Sequence, residues 1–197
     1  ALLRQRGAEV GLSTVSKALA RLEEDLVVSR REGGIYLVQA EELLEKLASA
    51  YTPPETSRAF RGKCRLDGIE AVRKLARAAA EQGRAVALTG EASAEKYAVT
   101  VREPLTSVYC SEVPEMLLNQ AGVEAEHTPR FANLEIRQTA DARVFFDLRR
   151  QDGVPFASPV QAYLELSAGD KRQKDAAEQV RRDVLAALHT ANQKAEA

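Results

Sequence analysis

Residues 11–38 read GLSTVSKALARLEEDLVVSRREGGIYLV, and this stretch decides how the first part of the chain folds. Ser13 is placed to cap a helix, because a serine hydroxyl accepts from an unpaired N–H of the first turn. Val15, Leu19, Leu22 and Leu26 follow at spacings of four, three and four, which puts them on one helical stripe. Ser13, Lys17, Ala20 and Arg21 fall on the opposite face, with Thr14 and Ser16 on its flanks. After the helix, LVVSRREGGIYLV predicts strand, turn, strand, with Arg30, Arg31, Gly33 and Gly34 marking a basic turn. Small, hydroxylated and basic residues near a helix start suit a major groove, and a basic hairpin beside it suits a wing. The pattern is that of the second half of a winged helix-turn-helix. Glu23, Glu24 and Asp25 close the helix with an acidic run that repels phosphate, at the end that points away from the groove in this geometry. The competing reading is ordinary core structure, an amphipathic helix followed by a hairpin.

Residues 2–10 (LLRQRGAEV) are expected as the shorter preceding helix, with Gly11 in the tight turn between the two. A complete winged helix carries one more helix first, so the N-terminus is expected to be missing, disordered or processed.

The 197 residues suffice for one medium domain or two small ones. With 45% hydrophobic residues, 5% aromatics and no tryptophan, the core must be built from Leu, Val and Ala. Lys plus Arg number 28 against 29 Asp plus Glu, a net charge of −1, so nucleic-acid binding has to come from local patches. One such patch runs from residue 58 to residue 84, where eight basic residues stand against Asp67, Glu70 and Glu81. Within it Arg61, Lys63 and Arg65 alternate, so on a strand they share one face. That stripe suits a nucleic-acid backbone, an acidic partner protein, or plain solvent. Cys64 and Cys110 fit no metal spacing and no disulfide framework, and are expected as buried reduced thiols. No apolar run approaches transmembrane length and no signal peptide is evident, so a cytoplasmic protein without membrane contact is expected.

Residues 41–51 predict a short amphipathic helix, with Leu43, Leu44, Leu47 and Tyr51 on its apolar side. TPPETS at 52–57 breaks the periodicity, and its adjacent prolines favour an extended segment. The domain boundary is placed there, giving a winged-helix domain over 1–51, a linker over 52–57, and a mixed α/β domain over 58–197. The second domain reads as a strand at 58–66, a helix capped by Asp67 and ended by Gly83, and a buried strand at 85–89. A short helix follows Gly90, then a strand at 106–110, a helix at 112–122, and strands at 132–138 and 142–149. Ser158, Pro159 and Gln161 start the next helix as cap, first position and third. Residues 170–192 form one long terminal helix. Its stripe of Ala176, Val180, Val184 and Leu188 serves either a contact between subunits or docking on its own domain. The fold class expected is α+β, an N-terminal winged helix-turn-helix followed by a mixed α/β domain.

Taken together, ALTGEASAEKYA, RVFFDLRRQDGVPFASPVQAYLEL and KDAAEQVRRDVL resemble the AbiEi-type antitoxins of type IV toxin–antitoxin systems. The shared pattern is carried by Ala157, by Ser158, Pro159 and Gln161, by Tyr163, Leu164 and Leu166, and by Ala176, Ala177 and Glu178. The resemblance implies a transcriptional regulator that binds an operator through its winged helix. It also implies neutralisation of a nucleotidyltransferase-type toxin or a part in defence against phage. The chain departs from the pattern at EEDLVVSRR, where such proteins often carry a glycine turn after the recognition helix.

Enzymatic alternatives lack their motifs. GEASAEK has neither the second glycine nor the Lys-Ser/Thr pair of a phosphate-binding loop. Glu135 and Asp147 suggest a nuclease carboxylate pair, but Arg137 stands where the catalytic lysine belongs. His127, read as a loop residue, and His189 have no ligand-like spacing. Neither an enzyme nor a cofactor is therefore expected. The expected DNA-contact set is Ser13, Thr14, Ser16, Lys17 and Arg21 on the helix, Arg30 and Arg31 on the wing, and Arg61, Lys63 and Arg65 on the strand. The expected partners are double-stranded DNA, a cognate toxin, and a second copy bound as a dimer or side by side. The alternative is a protein-interaction module that binds a toxin or a replication or repair partner, with the winged helix making protein contacts. A DNA-processing enzyme is the third class.

Overall fold

The structure, a computed structural model, describes residues 10–32, 34–99, 105–128 and 130–196, with side chains as far as residue 190. The helix expected over 2–10 lies, but for Val10, outside the described residues, as does Gly33 of the expected turn.

Helix α1 spans Leu12–Glu24. Gly11 precedes it in extended conformation, and its carbonyl accepts from the N–H groups of Thr14 and Val15 at 3.0 and 3.1 Å. Ser13 therefore sits inside the first turn and caps nothing, because the helix starts ahead of it. At the other end the Leu26 N–H bonds to the Glu23 carbonyl and the Val27 N–H to the Leu22 carbonyl, at 3.0 and 2.8 Å. This is a Schellman closure, which needs a left-handed residue where the chain leaves the helix. Leu26 occupies that position with φ 58° and is 69% exposed. It thus leaves the apolar stripe in which the sequence placed it, and the stripe consists of half-buried Val15, Leu19 and Leu22.

The chain turns directly into an antiparallel hairpin of β1 (Val28–Arg31) and β2 (Gly34–Leu37), with Arg30 opposite Ile35 and Arg31 opposite Gly34. Helix α2 follows over Ala40–Ser49.

The rest is a mixed sheet with helices on both faces. Its strands are β3 (Arg58–Cys64), β4 (Val86–Thr89), β5 (Thr106–Cys110), β6 (Ala125–His127), β7 (Leu134–Gln138), β8 (Arg149–Gln151) and β9 (Val154–Phe156). They lie in the order β6-β3-β7-β5-β4-β9-β8, with β5–β7 and β4–β9 parallel and the other pairs antiparallel. Helix α3 (Gly68–Glu81) is capped by the Asp67 carboxylate, which accepts from the Ile69 N–H at 2.9 Å. Its buried Val72, Leu75, Ala76 and Ala79 meet Phe60, Cys64, Leu88, Val108, Leu134 and Ile136 in the main core. Helix α4 (Gly90–Ala94) follows β4, and helix α5 (Pro114–Ala121) leads from the central β5 to the edge strand β6. Gly62 in β3 has no alternative, since a Cβ there would lie 2.4 Å from the Glu126 carbonyl oxygen and 2.6 Å from the Phe60 ring.

Helix α6 (Pro159–Ser167) begins as its sequence predicts, with the Ser158 hydroxyl accepting from the Gln161 N–H at 3.1 Å. Helix α7 (Lys171–Glu196) opens on a reciprocal box in which Asp170 and Gln173 each accept from the other's backbone N–H at 3.0 Å. Ala176, Val180 and Val184 join Tyr163, Leu166 and the α2 residue Leu44 in a second core. The terminal stripe thus docks on its own domain over these positions.

Two expectations are corrected. Residues 142–148 are not a strand, and only Arg149 of the expected one is, as the first residue of β8: Ala142–Phe145 form a 3-10 turn, because the Asp141 carboxylate accepts from the Arg143 N–H at 3.0 Å and winds the chain there. His127 is a strand residue on β6, packed edge-on against Phe60 with ring centroids 5.8 Å apart.

Packing also crosses residues 52–57. Leu44 is buried among α6 and α7 side chains, Pro54 is buried, and the Ser57 N–H donates to the Gln138 carbonyl at 2.9 Å. Arg181 on α7 pairs with Glu45 and Glu41 of α2 at 3.1 and 3.8 Å, and with Glu178 at 3.2 Å.

Candidate nucleic-acid interface

Helical geometry turns one side of α1 outward. Ser13, Lys17 and Arg21 recur every four residues and form one stripe, flanked by Thr14 and Ser16, and all five are exposed. The half-buried Val15, Leu19 and Leu22 lie on the other side of the helix, so the polar stripe is what the helix offers to solvent. Arg30 and Arg31 stand at the exposed end of β1 beside the turn. The Arg31 guanidinium lies 5.7 Å from the centre of the Tyr36 ring, which holds it across the hairpin. The structure thus places five of the expected residues on the exposed side of α1 and two at the exposed end of β1.

The acidic run is part of this unit. The Arg30 Nε donates to Glu23 at 2.9 Å, Arg21 pairs with Glu24 at 3.3 Å, and its Nε lies 3.7 Å from Asp25. Asp25 also accepts from Lys46 of α2 at 3.1 Å. That hydrogen bond holds the Asp25 carboxyl below its usual range, and the same contact raises the Lys46 ammonium.

Arg61, Lys63 and Arg65 lie elsewhere. Phe60, Gly62 and Cys64 point into the main core with α3, so Arg61 and Lys63 project from the opposite face of the sheet. The basic segment 58–84 is therefore divided between two faces, with Arg73, Lys74 and Arg77 exposed on α3. On the sheet, cross-strand neighbours are acidic: Glu135 stands opposite Arg61 and Glu126 opposite Lys63. Arg61 pairs with Glu135 at 3.7 Å and Arg65 with Glu124 at 3.5 Å. The stripe is a ladder of alternating charge rather than a bare cationic surface.

The two carboxylates weighed as a nuclease pair are each bound by arginines. Glu135 accepts from the Arg137 Nε at 2.8 Å and from the Ser107 hydroxyl at 3.3 Å. Asp147 sits in a tight turn with φ 53° and pairs with Arg149 at 3.0 Å. Both cysteines are buried free thiols, and burial pushes Cys110 up to about 11. Among the described residues, no group of three or more His, Cys, Asp or Glu side chains is arranged to hold a metal ion. No helix among them is long and apolar enough to cross a membrane.

Sequence reasoning missed a polar knot between α6 and the sheet. Glu165 accepts from the Gly90 N–H and the Gln161 side chain, both at 2.8 Å, and from the Thr89 hydroxyl. The Gln161 amide also reaches the Tyr51 hydroxyl at 3.4 Å. Gln161 had been placed as a capping residue, so its side chain was assigned to the helix start. A polar residue on the inner face of a helix whose neighbours are Ala, Tyr and Leu was the available signal. The knot fastens the end of α2 to the mixed domain.

The fold and this surface define a mixed α and β protein that carries an N-terminal helix-and-hairpin unit with an exposed polar helix face. Residues 36–186 match the family model of the AbiEi antitoxin transcriptional regulators of type IV toxin–antitoxin systems. The chain belongs to that family, which is a regulatory one. The matched span begins within β2, so α1 and β1 lie outside it. No curated protein and no solved structure matches the chain.

Proposed function

We propose that the chain is a sequence-specific DNA-binding transcriptional regulator, an AbiEi-like antitoxin that represses or activates its own operon. In this reading α1 is the recognition helix and the β1–β2 hairpin is the wing of a winged helix-turn-helix. Lys17 and Arg21 contact DNA, with Ser13, Thr14 and Ser16 completing the helix face. Arg30 and Arg31 bind phosphate or enter the minor groove. Arg61, Lys63 and Arg65, each beside an acidic neighbour, extend the footprint along the backbone. The observation that carries the reading is the single exposed polar stripe on α1, set beside a basic hairpin. The family supports a regulatory role and a toxin partner, and its regulatory character favours a protein without catalysis in the cytoplasm. Operators for such proteins commonly present two half-sites, which favours binding as a dimer or as two adjacent monomers. We keep 52–57 as the boundary between domains 1–51 and 58–197, with the second core holding the two together.

The test is fluorescence anisotropy of a duplex from upstream of the gene against a scrambled duplex, over a salt series. Tighter binding to the upstream duplex supports the reading. Equal weak binding with a steep salt slope reduces it to backbone attraction.

One observation favours the alternative of a protein-interaction module. Leu12, Leu26, Ile35 and Val38 on the same unit are 89%, 69%, 45% and 52% exposed. Lys17→Glu with Arg21→Glu separates the readings: it abolishes DNA binding and leaves a protein partner that docks on these apolar groups.

A further inference from the structure

We propose that Glu23, Glu24 and Asp25 are built-in counter-ions that mask Arg21 and Arg30, two of the DNA-contact arginines, in the free protein. The inference rests on the reading of α1 and the hairpin as the DNA-contact unit. Arg30 is held by Glu23 at 2.9 Å, and Arg21 by Glu24 and Asp25 at 3.3 and 3.7 Å. Asp25 is in turn fixed by Lys46 at 3.1 Å, so the acidic run is anchored to α2 from behind. The run closes the helix that bears Lys17, and the Schellman turn at Leu26 brings the hairpin's Arg30 back alongside Glu23. Two of the proposed contact groups on separate elements thus share one acidic strip between them.

A carboxylate beside a guanidinium is a stand-in for the phosphate it would meet on DNA. To bind, Arg21 and Arg30 must exchange their carboxylates for phosphates or base edges. The pairs are solvent-exposed and weakly held, so the exchange is feasible. It has a consequence for salt dependence. An unpaired arginine that neutralises a phosphate releases about one counterion from the duplex, which steepens the salt slope by about one. An arginine taken from a carboxylate leaves that carboxylate to recruit a cation, so the net release is smaller. The masked protein therefore binds any duplex more weakly, and with a shallower salt slope, than its count of arginines implies.

The experiment compares wild type, Glu23→Gln, Glu23→Gln/Glu24→Gln, and a control double Glu95→Gln/Glu115→Gln that removes the same charge from the mixed domain. Asp25 is kept because it anchors Lys46. Anisotropy is read on the upstream and scrambled duplexes across a salt series, with thermal melting to check the fold. The expected result is about three- to tenfold tighter binding of both duplexes by the Glu23/Glu24 double at low salt, with a slope steeper by about one. The control double stays within about twofold of wild type, and Glu23→Gln alone gives part of the gain through Arg30. Unchanged affinity and slope in the Glu23/Glu24 double overturn the mask while leaving DNA binding intact. An equal gain in the control double also overturns it, by making the effect one of net charge. If neither wild type nor the Glu23/Glu24 double binds either duplex at low salt, the DNA reading fails and the mask fails with it.

Discussion

Leu26 carries a backbone conformation that its side chain opposes. A left-handed non-glycine residue costs about 1–2 kcal/mol, and here the exposed side chain recovers little of it by burial. Leu26→Gly is expected to raise stability by about 0.5–1 kcal/mol in denaturant unfolding, after allowing for the added freedom of glycine in the unfolded chain. A loss of stability would mean that Leu26 packs against something in solution. The two serines read as caps now separate. Ser158→Ala removes the hydrogen bond to Gln161 and should cost about 1 kcal/mol. Ser13→Ala removes no cap and should leave stability within about 0.5 kcal/mol. Both serines precede an apolar stripe, so residue type alone did not distinguish them. The difference lies in position: Ser13 stands one residue inside a helix that begins at Leu12, whereas Pro159 at the first helical position fixes the start at Ser158.

At the scale of elements, periodicity made the long helices legible. The α3 stripe and its Asp67 cap, the buried β4 run, and the Ser-Pro start of α6 all stand where their residues place them. The short strands were less legible. Val144, Phe145 and Phe146 look like a strand, but Asp141 turns the backbone there instead. The real hairpin lies just beyond, where Asp152 and Gly153 adopt φ 50° and 80° between β8 and β9. Asp-Gly between short strands is the type I′ signal, and it was present in the sequence. The helix–hairpin unit was legible in outline, whereas the engagement of Arg30 by Glu23 was not, because that pair joins residues on different elements. The same holds for α2, whose Leu44 belongs to a core assembled from distant helices. Leu44→Ala is expected to cost about 2–4 kcal/mol in denaturant unfolding. A cost below about 1 kcal/mol would show that α2 is not mounted on α6 and α7 as described.

Across the molecule, burial of acidic groups sets an alkaline limit. Burial pushes Tyr97 from 10.0 up to about 12 and Cys110 from 9.0 up to about 11, and raises Tyr51 and Tyr109 as well. These groups stay neutral in the folded protein at a pH where the unfolded chain has released their protons. Their contribution is present below the unfolded values and is lost as pH rises through the folded ones. Stability should therefore fall between about pH 9 and 12, and Cys110 should resist thiol reagents until unfolding. A melting temperature that holds level through this window would contradict the burial of these side chains.

In the proposed function the exposed polar stripe of α1 reads DNA. The most direct measurement is binding of Lys17→Glu/Arg21→Glu to the upstream duplex at near-physiological salt, with its melting temperature matched to wild type. The expected result is a folded variant that has lost both the affinity and the preference for the upstream sequence. A folded variant that still prefers the upstream duplex over the scrambled one would contradict it, and would place the recognition surface elsewhere on the molecule.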